Sequence, residues 1–551
     1  MTIFEQASRS GKAVAMIFLF CLATTIFTPA QTFTKLIDFN GGNGASPLYD
    51  SLVQGRDGNL YGTTSGGGAY GYGTVFKMTR SGALTTLYSF CAQAHCQDGE
   101  WPMGGLLLAS DGELYGTTNA GGSTENDYPS GTIFRITKDG KLTTLYNFGF
   151  GDGAYPTGAL IQGSDKNFYG TTSRGGDLAY DWACGTVFRM TPQGGLWKMA
   201  YFYCNENPTP IAGLVQATDG NFYGTTEAGL VFKITTWGAL TSLYFFGGPD
   251  GGDPMSALIQ ASDGNLYGTT YAGGTSGSCS NGCGTVFKLA RKIGLTQLHS
   301  FNGADGSYPH GPLLQATNGT FYGTTSTGGD NNLGTVFKMT TDGTVTTLYS
   351  FQGADGSNPV GGLVQASDGK LYGTTSGGGV YGGGTAFSLD LGLGPMVKLV
   401  RDSAPVGATG GILGQGFTGT TEVSVNGTPA VFTVVSDTYL TAQVPSGATT
   451  GFVTVATPGG KLTSNKPLRV TPQLLSFDPP SGPIGTQVTI TGVSLTQTVQ
   501  VGFGNRVPAP FTVNSDTQVI ATVPAGAQTG KVGIETQGGT DISSAAFSVT
   551  Q

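Results

Sequence analysis

One hexapeptide pattern recurs through the first 390 residues and constrains the fold more than any other feature of the chain. It is Asn-Leu-Tyr-Gly-Thr-Thr at residues 265–270. The successive copies lie 54, 54, 54, 44, 55 and 50 residues apart. Periods of this length are typical of solenoids and propellers, so seven structural units are expected. The tyrosines of the copies are Tyr61, Tyr115, Tyr169, Tyr223, Tyr267, Tyr322 and Tyr372.

Each unit contains four short runs rich in β-branched and aromatic residues, a composition that favours β-strands. In the sixth unit these runs are residues 312–317, 320–326, 334–340 and 344–351. Asn-Gly or Asp-Gly pairs separate the first run from the second and the third from the fourth, and such pairs close tight antiparallel hairpins. We therefore expect a β-propeller of four-stranded blades rather than a β-solenoid. The tight turns then share one face, and the long, variable loops share the other.

The seventh unit lacks a fourth strand, because its third run is followed by Gly392-Leu-Gly-Pro395. A matching segment, Phe33–Phe39, precedes the first unit and has its apolar residues in the same positions as Leu84–Phe90. An N-terminal strand that completes the last blade would remove the open edge of the array. The sequence thus predicts a closed seven-bladed propeller over residues 31–391.

A different pattern begins at Pro395 and runs twice. Ser436-Asp-Thr438 and Val444-Pro445 return 79 positions later as Ser515-Asp-Thr517 and Val523-Pro524. Alternating apolar segments between Gly/Pro turns predict two small β-sandwiches, at residues 395–471 and 472–551. The predicted fold class is therefore all-β.

Two resemblances follow from these motifs. The segment Ser481–Gly492, followed by Val501-Gly-Phe503, resembles the immunoglobulin-like IPT/TIG module. The Leu-Tyr-Gly-Thr-Thr, Gly-Thr-Val-Phe and Leu-Tyr-Ser-Phe units resemble the GloVer tandem repeat of exported bacterial proteins, a family with interchangeable anchors. That resemblance implies a secreted or cell-surface location and supplies no catalytic residue.

The N-terminal 30 residues have the features of an export signal. Arg9 and Lys12 precede an apolar run at 13–27, and Thr28-Pro-Ala30 forms a small-residue cleavage site. An uncleaved anchor is the alternative interpretation. No later apolar run is long enough to span a membrane.

Six cysteines remain after this segment, and they fall into three local pairs. An even number suits an oxidising compartment, so disulfides are expected. With only three histidines in the chain, a zinc site is disfavoured, and we expect neither a metal nor a cofactor. The pairs are Cys91/Cys96, Cys184/Cys204 and Cys279/Cys283.

The composition argues against a nucleic-acid partner, because the formal charge is −8 and the basic residues are scattered. The expected partner is an extracellular glycan or a surface protein, and the oligomeric state is not predicted. Aromatic rings beside Asp acceptors suit neutral polar ligands such as glycans. Unrepeated residues of this kind on the loop-rich face are the candidate ligand contacts: Trp101, Asp127, Tyr128, Tyr155, Tyr180, Asp181, Trp182, Tyr271, Tyr308, His310 and Asp330.

No catalytic residues are predicted, because the chain contains no nucleophile elbow and no His-Glu-x-x-His motif. The second hypothesis for the function is a structural or adhesive repeat protein without a small ligand. The third is a polysaccharide-active enzyme that uses loop acids, with Glu100, Asp127, Asp181 and Asp330 as candidates. The acids of the repeated Asp-Gly-x-x-Pro segments, such as Asp305 and Asp355, are interpreted as turn caps, with calcium loops as their alternative.

Overall fold

The computed structural model describes residues 31–49, 52–122, 130–176, 183–203, 209–290, 294–504 and 507–550. In these ranges the chain consists of β-strands and one 3-10 helix, η1 (Ala94–Cys96). The same ranges include no helix that is long and apolar enough to cross a membrane. The predicted export signal, residues 1–30, lies outside the described residues.

The repeat region forms seven antiparallel four-stranded sheets among the described residues, and we number each sheet by the repeat that supplies its inner strand. In sheets 1–6 the strands run outward from the first to the fourth in chain order. Sheet 1 consists of β2 (Val53–Gln54), β3 (Leu60–Thr64), β4 (Thr74–Met78) and β5 (Leu84–Ser89); sheet 2 of β6 (Leu107–Leu108), β7 (Leu114–Thr118), β8 (Thr132–Ile136) and β9 (Leu142–Asn147); sheet 3 of β10 (Ile161–Gln162), β11 (Phe168–Thr172), β12 (Ala183–Met190) and β13 (Leu196–Tyr203); sheet 4 of β14 (Val215–Gln216), β15 (Phe222–Thr225), β16 (Leu230–Ile234) and β17 (Leu240–Phe245); sheet 5 of β18 (Ile259–Gln260), β19 (Leu266–Thr270), β20 (Thr285–Ala290) and β21 (Gly294–Ser300); sheet 6 of β22 (Leu314–Gln315), β23 (Phe321–Thr325), β24 (Thr335–Met339) and β25 (Val345–Ser350).

Sheet 7 takes its outer strand from the start of the chain. Its own repeat supplies β26 (Val364–Gln365), β27 (Leu371–Thr375) and β28 (Thr385–Asp390), and β1 (Thr32–Asp38) pairs antiparallel with β28. The Phe33 ring of β1 stacks on that of Tyr349 in sheet 6, with centroids 3.8 Å apart. This is the pairing expected from the match between Phe33–Phe39 and the fourth strand of the first unit.

The inner strands are shorter than the sequence predicts. The run at 312–317, expected to be a strand, contributes only Leu314–Gln315 to sheet 6. Pro312 lines the central cavity, and beyond the pair the Ala316 N–H donates to the Thr320 carbonyl at 3.0 Å within the tight turn.

The tyrosine and the second threonine of the hexapeptide hold each sheet to its own turns. In sheet 5, the Tyr267 hydroxyl donates to the Asp263 carboxylate at 2.9 Å, which closes the first tight turn. The Thr270 hydroxyl lies 2.8 Å from that of Thr285 on the next strand, in the buried interior. Equivalent bonds recur in most repeats, so the pattern is a requirement of the fold.

The glycine of the hexapeptide leaves room for an aromatic ring. A Cβ atom at Gly268 would lie 2.7 Å from Phe287 Cζ and 2.7 Å from Leu258 Cδ2, closer than real Cβ contacts. Only glycine therefore allows the ring of the Gly-Thr-Val-Phe strand to pack across the second strand.

Glutamine side chains at the end of most inner strands link one sheet to the next. In each link, Oε1 accepts a hydrogen bond from a backbone N–H of the neighbouring sheet, at 2.8–3.0 Å. Sheet 2 carries Leu108 at this position, and there the Arg56 guanidinium donates to the Ser110 carbonyl at 3.0 Å instead. The links join each sheet to the next and sheet 7 to sheet 1, which is the arrangement of a β-propeller. The donor and acceptor pairs are Ser110/Gln162, Ser164/Gln216, Thr218/Gln260, Ser262/Gln315, Thr317/Gln365 and Ser367/Gln54.

The remaining strands form two immunoglobulin-like modules with the same topology. Each module packs a four-stranded sheet on a five-stranded sheet around its own apolar core. The first contains β29 (Lys398–Leu399), β30 (Ser403–Pro405), β31 (Thr409–Leu413), β32 (Glu422–Val425), β33 (Thr428–Pro429), β34 (Phe432–Ser436), β35 (Tyr439–Gln443), β36 (Gly451–Thr457) and β37 (Gly460–Thr471); the second contains β38 (Gln473–Asp478), β39 (Ser481–Gly482), β40 (Gln487–Val493), β41 (Thr498–Phe503), β42 (Val507–Ala509), β43 (Phe511–Ser515), β44 (Gln518–Thr522), β45 (Gly530–Thr536) and β46 (Gly539–Val549).

The first immunoglobulin-like module packs against the tight-turn side of the sheets. The Thr438 hydroxyl donates to the Arg56 carbonyl at 2.7 Å, and the Arg56 guanidinium lies over the Tyr439 ring, 4.6 Å from its centroid. Arg401 Nη2 donates to the Ser164 carbonyl at 2.8 Å. These contacts leave the opposite, loop-rich side for the candidate site.

Candidate ligand-binding site at the channel mouth

A cavity of about 290 Å³ lies at the centre of the sheets, on the loop-rich side, and residues from every sheet line it. In each of repeats 2 to 7, a proline precedes the inner strand, and the residue after that proline lines the cavity. These residues are Met103, Thr157, Ile211, Met255, His310 and Val360. His310 is the one ionisable side chain in this set, so the sixth repeat places an imidazole in an otherwise mostly apolar wall.

The residue before the proline of this segment has an unusual backbone conformation in six of the seven repeats. In most repeats it is a non-glycine residue with φ between 52° and 59°, in the left-handed region. Such residues are uncommon and cost free energy, and they concentrate at functional sites. Backbone hydrogen bonds hold them: the Tyr308 N–H donates to the Cys283 carbonyl at 2.8 Å, and the Tyr308 carbonyl accepts from Ser326 N–H at 3.1 Å. The residues are Ser46, Trp101, Tyr155, Asp253, Tyr308 and Asn358.

Four aromatic side chains form a contiguous group at the mouth of the cavity, which we call the channel-mouth cluster: Tyr49, Tyr271, Tyr308 and His310. The Tyr49 ring stacks on His310, with centroids 4.6 Å apart and planes inclined by 24°. Tyr271 stacks on Tyr308 at 4.9 Å and meets His310 edge-on at 5.7 Å. Tyr49 is 39% exposed, so one end of the cluster is open to solvent.

His310 is the buried member of the cluster. It is 9% exposed, and its Nδ1 atom has no hydrogen-bond partner among the described residues. Burial lowers the pKa of His310 to about 4, so the ring is neutral at pH 7. A buried, unpartnered ring nitrogen is costly unless a water molecule or a ligand satisfies it.

Two acidic residues lie close enough to the cluster to raise the pKa values of its tyrosine hydroxyls. Burial raises the pKa of Tyr49, and the charge of Glu227 raises it further. Burial also raises the pKa of Tyr271, with contributions from Tyr308 and Asp253. The carboxyl pKa of Asp253 is itself raised by burial. The cluster thus combines apolar ring faces with protonated hydroxyls and carboxylate acceptors.

The structure brings together only some of the residues that the sequence nominates. Tyr271, Tyr308 and His310 are in contact, as described. Trp101 lies apart from them, 42% exposed and with its ring 6.3 Å from that of Tyr72. Tyr155 occupies the position equivalent to Trp101 in sheet 3, and Asp330 is exposed on a loop of sheet 6. Asp127, Tyr128, Tyr180, Asp181 and Trp182 lie outside the described residues.

Sequence reasoning missed Tyr49, Glu227 and Asp253 as members of this site. Tyr49 precedes the first inner strand and belongs to no repeated motif, so its contact with the sixth repeat depends on ring closure. Asp253 could have been found, because it occupies the same pre-proline position as Tyr308.

The repeated acids serve the turns, as the turn-cap interpretation predicts. Asp305 accepts hydrogen bonds from the Asn302 N–H at 2.9 Å and from His299 Nε2 at 2.8 Å. Asp355 accepts from the Gln352 N–H at 2.8 Å and from the Tyr349 hydroxyl. Of the loop acids nominated for catalysis, Glu100 has a pKa raised by burial.

Two predicted disulfides, Cys91–Cys96 and Cys279–Cys283, are present. Cys184 is also disulfide-bonded. Cys204, its predicted partner, lies outside the described residues.

Comparison with solved structures gives only distant likenesses. A fungal alcohol oxidase of the AA5 family in complex with copper is 12% identical, with a TM-score of 0.43, over 94% of this chain and 99% of the other. The extracellular domain of a one-component system from B. thetaiotaomicron is 10% identical, with a TM-score of 0.43, over 95% and 58%. The surface glycan-binding protein PbSGBP-B from Prevotella bryantii is 17% identical, with a TM-score of 0.22, over 28% and 41%. These likenesses carry no argument about function, and no curated protein matches the chain.

Comparison with family models is more informative. The Gloeobacter/Verrucomicrobia repeat matches residues 23–183, 179–387 and 275–428, and the IPT/TIG domain matches 402–470 and 472–550. This combination fits an extracellular binding or surface protein. The chain therefore belongs to the family with the Gloeobacter/Verrucomicrobia repeat, and in it the repeats are followed by two IPT/TIG domains.

Proposed function

We propose that this protein is an exported, secreted or surface-bound binding protein that recognises a neutral glycan through the channel-mouth cluster. The observation that carries the proposal is the group formed by Tyr49, Tyr271, Tyr308 and the buried His310, whose Nδ1 lacks a partner in the described structure. The disulfides support an oxidising location.

The chemistry of the cluster suits a sugar ring. The apolar face of a pyranose stacks on Tyr271 or Tyr49, and a hydroxyl of the same ring pairs with His310 Nδ1. Glu227 and Asp253 then accept from further hydroxyls. A cavity of about 290 Å³ is close to the lower limit for small-molecule sites, so one sugar unit enters and the rest of the glycan remains outside.

The framework proposed for this site is a closed ring of seven blades spanning residues 31–391, with sandwich modules at 395–471 and 472–551. Two features support the blade number: the cycle of links from sheet to sheet, and the lining of one cavity by all seven sheets. In such a ring, the cluster lies on short connecting segments next to the inner and second strands, and backbone hydrogen bonds hold these segments in place.

A glycan array probed with the purified protein tests the function. We expect binding to neutral oligosaccharides, with Tyr271→Ala and Tyr49→Ala each weakening it about tenfold, the loss of roughly 1.4 kcal/mol per ring contact. Trp237→Ala is the matched aromatic control, because Trp237 is 62% exposed in a tight turn on the opposite side.

Two outcomes contradict the proposal. One is the absence of any glycan bound above background. The other is glycan binding that Tyr49→Ala and Tyr271→Ala leave at the wild-type level. Release of reducing sugars from a bound polysaccharide, lost on substitution of a loop acid, would identify an enzyme instead.

A further inference from the structure

A second cavity lies on the far side of the sheets, between their tight turns and the first immunoglobulin-like module. Its volume is about 350 Å³. Leu107, Ile161 and Val215, from the inner strands of sheets 2, 3 and 4, line one side. The other side is formed by the module, through β29 and the end of β37. The cavity is separate from the channel-mouth cluster and shares no residue with it.

The module contributes an excess of positive charge to this cavity. Among the described residues, four cationic side chains line it, with a single carboxylate, Asp402. The cations are Lys398, Arg401, Lys466 and Arg469. The whole chain has a formal charge of −8, so the local excess runs against the overall composition.

The two arginines have partners in the protein. Arg469 Nη2 lies 3.0 Å from Asp402 Oδ1. Arg401 Nη2 donates to the carbonyls of Gly163 and Ser164 at 3.1 and 2.8 Å. These bonds account for the only carboxylate in the cavity wall and fix both guanidinium groups.

The two lysines have no such partners. Within the described parts of the chain, neither the Lys398 nor the Lys466 ammonium forms an ion pair or a hydrogen bond. Burial and, to a smaller extent, repulsion from Lys466 lower the pKa of Lys398 to about 8. Lys466 is exposed at the edge of the cavity, and its charge helps to lower the pKa of Asp402. Lys398 is half-buried beside apolar side chains, where an ammonium group without a partner is unfavourable unless an anion binds to it.

We propose that this cavity binds a small organic oxyanion, with its carboxylate or phosphate group between Lys398 and Lys466 and its carbon skeleton against the apolar inner strands. The size of the cavity suits a ligand as large as a monosaccharide. A hexuronate and a sugar phosphate have the required chemistry. This site does not depend on glycan binding at the channel mouth.

Calorimetric titration of the full chain with glucuronate, glucose 6-phosphate, inorganic phosphate and glucose tests the proposal. We expect at least one of the two sugar anions to bind and glucose not to bind. Lys398→Met and Lys466→Met should each weaken binding at least tenfold, because each removes one of the two charges and keeps most of the apolar stem. Lys461→Met is the matched control, since Lys461 is a lysine of the same module that does not line the cavity.

Thermal unfolding of the same variants distinguishes a binding role from a structural one. Without an anion, Lys398→Met should unfold at the same temperature as the wild type or higher, because the substitution relieves repulsion. At the same concentration, glucuronate or glucose 6-phosphate should raise the unfolding temperature of the wild type more than that of either lysine variant. Selective binding of one sugar anion identifies the carboxylate or the phosphate as the preferred group. Failure of both to bind, or equal binding by the lysine variants and the wild type, overturns the proposal.

Discussion

Tyr49 and His310 stack with their ring centroids 4.6 Å apart, although one lies before the first repeat and the other in the sixth. The contact joins the segments that lead into sheets 1 and 6, the two neighbours of sheet 7. It therefore exists only when the sheets are closed into a cycle, and it ties the candidate site to the integrity of the ring.

His310 should make the protein sensitive to acid. Its pKa is lowered from 6.5 to about 4 by burial. The unfolded chain therefore takes up a proton that the folded chain does not, and stability is lost as the pH falls from 6.5 to 4. The free energy of unfolding falls by about 3 kcal/mol in total, and by up to about 1.4 kcal/mol per pH unit. Methionine is the residue at the equivalent positions 103 and 255. We therefore expect the stability of His310→Met, measured by urea unfolding at pH 7, 5 and 4, not to show this loss.

The control for this experiment is His95→Gln, because His95 is exposed and should leave the wild-type pH profile unchanged. Equal loss of stability in wild type and His310→Met between pH 6.5 and 4 would show that another group is responsible.

The link between sheets 7 and 1 should be the most costly glutamine link to break. Gln54 is 0% exposed and accepts from the Ser367 N–H at 2.9 Å. Gln54→Leu leaves that N–H buried and unsatisfied, which costs about 1–3 kcal/mol in the free energy of unfolding. Gln162→Leu should cost less, because its partner, the Ser110 N–H, is exposed and can bind water. Urea denaturation of both variants measures the difference, and equal losses would argue against a special closing link.

The hexapeptide glycine should tolerate no side chain. Gly268→Ala places a Cβ atom 2.7 Å from Phe287 Cζ, so we expect a loss of about 1–3 kcal/mol through overpacking. Gly277→Ala is the control, because no atom lies within 4 Å of the position of its Cβ. Thermal unfolding compares the two, and a neutral Gly268→Ala would refute the close-approach explanation for the repeat.

The segment that completes sheet 7 should contribute strongly to stability. Phe39 is 0% exposed and meets Phe76 of sheet 1 edge-to-face at 5.2 Å. Phe39→Ala should lower the free energy of unfolding by about 3–5 kcal/mol. Thr34→Ala, at an exposed position on β1, should change it by less than about 0.5 kcal/mol. An unchanged melting temperature for Phe39→Ala would count against closure of the ring by this segment.

Much of the fold could be predicted because the same turn and strand residues recur in each repeat. Asp-Gly and Asn-Gly pairs mark the turns, and the match of Phe33–Phe39 to Leu84–Phe90 identifies the N-terminal strand that completes sheet 7. The glutamine links were visible as Gln54, Gln162 and their equivalents, yet a polar residue at a strand end looks the same whether it faces water or a neighbouring sheet.

The site was harder to predict, because its contacts join different repeats. His310 and Tyr308 could be nominated as unrepeated residues, but nothing local indicates that Tyr49 stacks on His310. Left-handed backbone at Tyr308 is likewise set by hydrogen bonds to other loops. The cationic cavity depends on how the first immunoglobulin-like module packs against the tight turns, and no single motif specifies that packing.

The pairing of β1 with β28 also affects the order in which the protein can mature. Thr32, near the start of the chain, is paired with Asp390, so β1 must remain without its partner until nearly the whole repeat region has been synthesised. Any chain that stops short of β28 carries unpaired strand edges, the surfaces on which aggregation and proteolysis act. The ring can therefore close only after the last repeat has been translated. Truncated chains differ from finished ones by an exposed strand edge, which cellular quality control can recognise.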